Sequence, residues 1–94
     1  MMKSLSRNKI LDDAKELINK DRNDAYGEAS VNFENTANLW SGFLRRPIQP
    51  YEVGVMMALV KVARLYHDEL NEDSWKDAIG YLALAGELAL NDKE

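Results

Sequence analysis

Apolar residues recur along this chain at helical spacing in four separate blocks. In the first, Ile10, Leu11, Ala14, Leu17 and Ile18 fall at i, i+1, i+4, i+7 and i+8, one stripe of an amphipathic helix. Ser4 or Ser6 can cap it, and it is expected to cover about 5–20. In the second, Phe33, Ala37, Trp40 and Leu44 form a stripe opposite Asn32, Glu34, Asn35 and Asn38, predicting a helix over about 30–44 with Ser30 as N-cap. It stops before Pro47, because the residue preceding a proline is pushed out of the helical region. The third, about 50–68, opens on Pro50, whose missing N–H costs nothing in a first turn, with Glu52 near the positive end of the dipole. From Val53 to Leu65 it is apolar on nearly all sides, so it is expected to be the central helix of a bundle or to line a subunit interface as well.

The fourth block, about 74–90, begins with Ser74 and Asp77 in a capping-box spacing. Its small-residue stripe, Ala78, Leu82, Ala85 and Ala89, with Gly80 and Gly86 beside it, predicts tight packing on the third helix. No alternation with period two appears, so no strand is expected. The expectation is one all-α, compact four-helix domain spanning 1–94 and assembling as a symmetric oligomer, since a chain of 94 residues has a limited core.

Composition narrows the function classes. The net charge of −4 argues against a long nucleic acid as partner, yet leaves room for a small anion held by two or three local cations. There is no cysteine, so disulfides and thiolate metal sites are excluded and a reducing cytoplasm is the expected setting. The longest apolar run, Val53 to Val60, is interrupted by Gly54 and is too short to span a bilayer, so no membrane association is expected. The N-terminus has no apolar run long enough for a signal peptide. A lone His67 rules out a multi-histidine metal site within one subunit.

Three sets of residues could carry chemistry. Lys61, Arg64 and His67 lie at i, i+3 and i+6 on the most apolar helix. A buried cation needs an anion or an exit to water. These cations therefore either lay their stems along apolar surface and pair with nearby carboxylates, or line a pocket for phosphate or carboxylate. Asp77 and Tyr81 share a face of the fourth helix, with Asp73 at its start. Asp77 reads either as an internal partner for Lys61 or Arg64, or as a magnesium ligand or an acceptor for a sugar or base. The polar stretch DRNDAYGEASVNF brings Arg22, Asp24, Tyr26, Gly27, Asn32 and Phe33 close in sequence. An aromatic here could stack a base for about 1–3 kcal/mol, or Tyr26 could plug the end of a small core with Asp24 and Glu28 answering Arg22. Trp40 and Trp75 read as core or subunit-contact residues, and Met56 with Met57 as packing filler. No nucleophile–base pair and no glycine-rich phosphate loop is present.

RNDAYGEASVNFENTANLW, then MMALVKVARL, then DSWKDAIGYLALAGEL, together resemble a family of short phage and prophage proteins over residues 21 to 90. A more distant similarity is to the all-α NTP pyrophosphatases of the MazG type, through DAIGYLALAGEL. That resemblance implies acidic residues on two helices holding magnesium against a nucleotide triphosphate. Here Lys61 and Arg64 of VKVARL stand where an acidic helix is expected, and only Asp77 and Asp73 match the second. Cations in those places would meet phosphate directly.

The first expectation is thus a phage nucleotide-binding protein in the host cytoplasm that sequesters a phosphorylated nucleotide or a host nucleotide signal, as an anti-defence sponge, without hydrolysing it. Its ligand residues would be Arg22, Tyr26, Asn32, Phe33, Lys61, Arg64, Asp77 and Tyr81, in a homo-oligomer, with no cofactor. The second is a magnesium-dependent pyrophosphohydrolase or an accessory of nucleotide modification, using Asp73 and Asp77. The third is a helical protein-binding inhibitor of a host factor, acting through an apolar helix face.

Overall fold

A computed structural model describes residues 5–21 and 28–91. These form four helices: α1 (Arg7–Glu16), α2 (Ala29–Leu44), α3 (Pro50–His67) and α4 (Glu72–Asn91), with α1 continued by a π-helical turn at Leu17–Asp21. No strand occurs among the described residues, and the all-α class read from the periodicity is the one observed.

Local chemistry sets most of the ends. The Ser6 hydroxyl accepts from the Lys9 N–H at 3.1 Å and starts α1. Pro50 opens α3, and the Gln49 N–H donates to the Glu52 carboxylate at 2.8 Å. Between α2 and α3, Arg45 adopts the left-handed region (φ 57°) and returns its N–H to the Ser41 carbonyl. The Ser41 hydroxyl then accepts from the Ile48 N–H at 2.8 Å and donates to the Ala37 carbonyl at 2.7 Å, tying the loop back onto α2.

Two expected caps lie elsewhere. The residue before α2 is Glu28, with extended backbone and no side-chain cap bond, so Ser30 sits inside the helix rather than capping it. At α4 the Asn71 side chain accepts from the Ser74 N–H at 3.1 Å, starting the helix at Glu72. Ser74 is thereby carried into the first turn and buried in the packing. In the turn ahead of it, Asp68 accepts from the Leu70 N–H and the Trp75 indole donates to the Glu69 carbonyl. Trp75 is otherwise exposed, whereas Trp40 packs against the core.

A short turn joins α3 to α4, so the two run as an antiparallel hairpin, and this is the most extensive helix pair. On one side α2 lies mainly on α3; on the other, α1 and its π turn lie on α4. Among the described residues α1 and α2 do not touch. Three of the helices, α2, α3 and α4, share one core, and α1 is added on α4, giving the compact all-α domain expected.

The core is narrow. Phe33, Ala37 and Val53 form its centre, with Trp40, Ile48, Met57, Tyr81, Leu84 and Leu88 packed around them. A Cβ on Gly54 would stand 2.7 Å from Ala85 Cβ, 2.9 Å from the Phe33 ring and 3.1 Å from the Tyr81 carbonyl oxygen. Three helices therefore meet where α3 has no side chain.

The expected small-residue stripe on α4 is shifted. Leu82 is exposed and Gly86 faces open space, while the inward line is Ser74, Ala78, Tyr81, Ala85 and Leu88. Gly80 serves a different neighbour, because a Cβ there would meet Ile18 of the π turn at 2.7 Å. Nor is α3 buried all round: it packs through Val53, Gly54, Met57 and Ala58, and its opposite side is open.

The Gly54 contact yields a direct test. Alanine would gain about 1 kcal/mol in helix propensity, but the methyl meets a neighbouring Cβ, a ring and a backbone oxygen, none of which can simply swing away. Gly54→Ala is expected to lose about 1–3 kcal/mol net in urea unfolding followed by circular dichroism. An unchanged or higher midpoint would show that α3 and α4 can part without loss.

Candidate functional site

The charged residues singled out in the sequence converge where α3 faces α4. Lys61 Nζ lies 3.0 Å from Asp77 Oδ2, and the two side chains are only 14% and 24% exposed. Lys61 is on the inward side of α3, one turn beyond Ala58, so its stem crosses apolar packing and its head must find an anion. Its own chain supplies that anion. The arrangement is thus the internal-partner alternative for Asp77, and Lys61 is not a vacant cation. Arg64, one turn further along, is exposed, as is His67.

Tyr81 is one turn beyond Asp77. Its ring lies 6.3 Å from Phe33, centroid to centroid, at 24°. Phe33 is 3% exposed and occupies the core centre, so its ring is committed to packing rather than presented to a base. Asn32 is half-buried beside it at the start of α2. Arg22, Asp24, Tyr26 and Gly27 lie outside the described residues. Of the eight expected ligand residues, the structure gathers Lys61 with Asp77 and Phe33 with Tyr81.

Asp77 also borders a cleft of about 390 Å³ between α1 and α4, lined by Asp13, Glu16, Leu17, Asp73 and Lys76 as well. Lys76 organises this cleft: its ammonium is 2.9 Å from Asp13 and 3.6 Å from Glu72. Asp13 meets a second cation, Lys9, at 2.8 Å. Hydrogen bonds from Lys9 and then Lys76 hold the Asp13 carboxyl below its ordinary value, and Asp13 in turn raises both lysines. No three His, Cys, Asp or Glu side chains among the described residues are grouped to hold a metal ion. Asp13 and Lys76 were not marked in the sequence, since a bridge between helices far apart in the chain leaves no periodic signal.

The outer side of α3 is the other conspicuous surface. Tyr51, Val55, Leu59, Val62 and Tyr66 follow one another down it and are between 37% and 96% exposed. At its N-terminal end this stripe enters a groove of about 360 Å³ formed by Leu44, Arg46, Ile48, Tyr51, Glu52, Val55 and Met56. No helix among the described residues is long and apolar enough to cross a membrane.

Comparison with known proteins supplies a setting. A family model described as Domain of unknown function (DUF6378) matches residues 9–89. The chain is 39% identical over 72 residues to the "Gene 55 protein" of Mycobacterium phage D29, covering 77% of this chain and 48% of that protein. It is 36% identical over 86 residues to the "Gene 55 protein" of Mycobacterium phage L5, covering 90% of this chain and 55% of that protein. The chain spans about half the length of the curated relatives it matches. No solved structure matches it.

The cleft makes a pH-dependent contribution with a defined sign. A carboxylate whose folded value is lowered stabilises the fold above its unfolded value, and that contribution is lost as pH falls through the folded value. The destabilisation caused by Asp13→Asn is therefore expected to be larger at about pH 6 than at about pH 3 in urea unfolding. An equal difference at both would mean that the bridge to Lys76 does not hold α1 in place.

Proposed function

The chain belongs to the family described as Domain of unknown function (DUF6378), alongside proteins of mycobacteriophages, and on that premise we propose that it is a phage docking module. It acts by gripping a partner helix along the outer side of α3. The observation that carries this reading is the line Tyr51, Val55, Leu59, Val62 and Tyr66, apolar throughout and uncovered. On a helix a stripe of this spacing is a seam, and the partner that fits it is an amphipathic helix with anchors at i, i+3, i+4 and i+7. Burying it returns about 25 cal/mol for each Å² of apolar surface removed from water. Lys61 and Asp77, two of the charges the sequence offered for chemistry, are paired with each other across the hairpin, which supports reading them as part of the fold and the seam as the binding surface.

A second reading, sequestration of a phosphorylated nucleotide in the host cell, has one specific observation in its favour. Lys61, Asp77 and Tyr81 sit together at the meeting of α3 and α4, with Arg64 one turn from Lys61. A phosphate would compete with Asp77 for Lys61 and draw in Arg64. The ring for stacking would then be Tyr26, because Phe33 and Tyr81 are stacked on each other in the core. The resemblance to MazG-type pyrophosphatases supports the same ligand class. It would also allow a magnesium-dependent version through Asp73 and Asp77, in an oligomer that completes the pocket.

A photo-crosslinking residue placed at Val55, Leu59 or Val62 and irradiated in expressing cells is expected to give discrete adducts, while the same residue at exposed Glu87 on α4 gives none. Adducts from neither place, or equally from both, would remove the docking reading. For the nucleotide reading, a thermal-shift screen without magnesium should show stabilisation by nucleotides, about 2.7 kcal/mol at a hundredfold excess over Kd, and Lys61→Met should abolish it. Phosphate release that requires magnesium would replace sequestration by hydrolysis, and no response to any nucleotide would end both versions.

A further inference from the structure

We infer that the occupant of the α3 seam is a second copy of this chain, docked across a two-fold axis with the two α3 helices antiparallel. The inference rests on the docking reading and names its partner.

The seam is a palindrome of residue types. Tyr51, Val55, Leu59, Val62 and Tyr66 read Tyr-Val-Leu-Val-Tyr in either direction, with spacings of 4, 4, 3 and 4 residues. Antiparallel superposition about Leu59 sets Leu59 beside the partner's Leu59, Val55 beside the partner's Val62, and Tyr51 beside the partner's Tyr66. A two-fold interface requires this self-complementarity, because each contact from residue i to residue j must also be made from j to i. None of the seam positions is charged, so two copies approach without repulsion along the contact line.

The ends of the seam are complementary in shape as well. At its C-terminal end Tyr66 projects, 96% exposed. At its N-terminal end lies the groove of about 360 Å³, whose apolar walls are Leu44, Ile48, Tyr51, Val55 and Met56, with Arg46 and Glu52 also lining it. The antiparallel arrangement brings the partner's Tyr66 to the mouth of that groove, twice per dimer. A tyrosine ring entering an apolar recess is the usual form of a binding hot spot.

Because the protein has no cysteine, one introduced thiol reads the geometry without interference. Leu59→Cys, next to the two-fold axis, is expected to oxidise to a covalent dimer under native conditions, while Ala83→Cys on the exposed side of α4 stays monomeric. Sedimentation of the unmodified chain should show a dimer, with Leu59→Glu and Tyr66→Ala shifting it to monomer at unchanged helicity. A chain that is monomeric at tens of micromolar, or thiols that pair equally at both positions, would overturn the self-pairing. If photo-adducts from the seam then contain a different protein, docking stands and only the identity of the occupant falls; if there are no adducts, both fall together.

Discussion

One missing side chain governs the arrangement. At Gly54 the backbone of α3 comes close enough to α4 that even a methyl group would collide with Ala85 and the Tyr81 carbonyl, and the Phe33 ring from α2 closes the same point. Such an approach needs a small residue opposite, and on α4 that residue is Ala85, with Ala78 and Ser74 buried further along the same helix. A thin seam of alanine, glycine and serine has little room for large side chains. Leucine, valine and aromatic residues are displaced to the periphery, where Leu59, Tyr66, Phe43 and Leu39 stand exposed. The closeness of the hairpin and the greasiness of its outer faces are one fact seen from two sides.

Electrostatics follow the same economy. Lys61 crosses the hairpin to Asp77, and Lys76 crosses from α4 to Asp13 on α1. Each bridge joins two different helices, α3 to α4 and α4 to α1. The value of such partly exposed pairs lies less in their strength than in their direction, since a charged head settles only where its counterpart waits.

The existence of each helix was legible because a stripe of apolar residues at helical spacing has only one local explanation. Ser6 and Pro50 marked real starts, for their chemistry acts within a single turn. The start of α4 was misread by two residues, since Asn71 and Ser74 are both able caps and tertiary packing chose between them by burying Ser74. The packing glycines of α4 are settled for a related reason: Gly80 and Gly86 look alike in sequence, and only the rotation of α4 about its axis decides that Gly80 meets Ile18 while Gly86 faces open space. A helix apolar on nearly all sides does not say which of its faces the fold buries, and here Val53, Gly54 and Ala58 are inside while Leu59 and Val62 are exposed. Lys61 fits this pattern as well, because a cation inside an apolar block demands an anion, and whether that anion is a ligand or Asp77 depends on a helix far along the chain.

The placement of α1 on the flank of α4 bears on how the molecule comes apart. Since, among the described residues, α1 packs on α4 and not on α2 or α3, it can lift away without opening the hydrophobic centre formed by Phe33, Ala37 and Val53. The protein thus has a built-in hierarchy of openings, with an outlying segment that exchanges its amides at low free energy and an inner hairpin that yields only with the whole. Partial loosening at one margin need not disturb the core at the other.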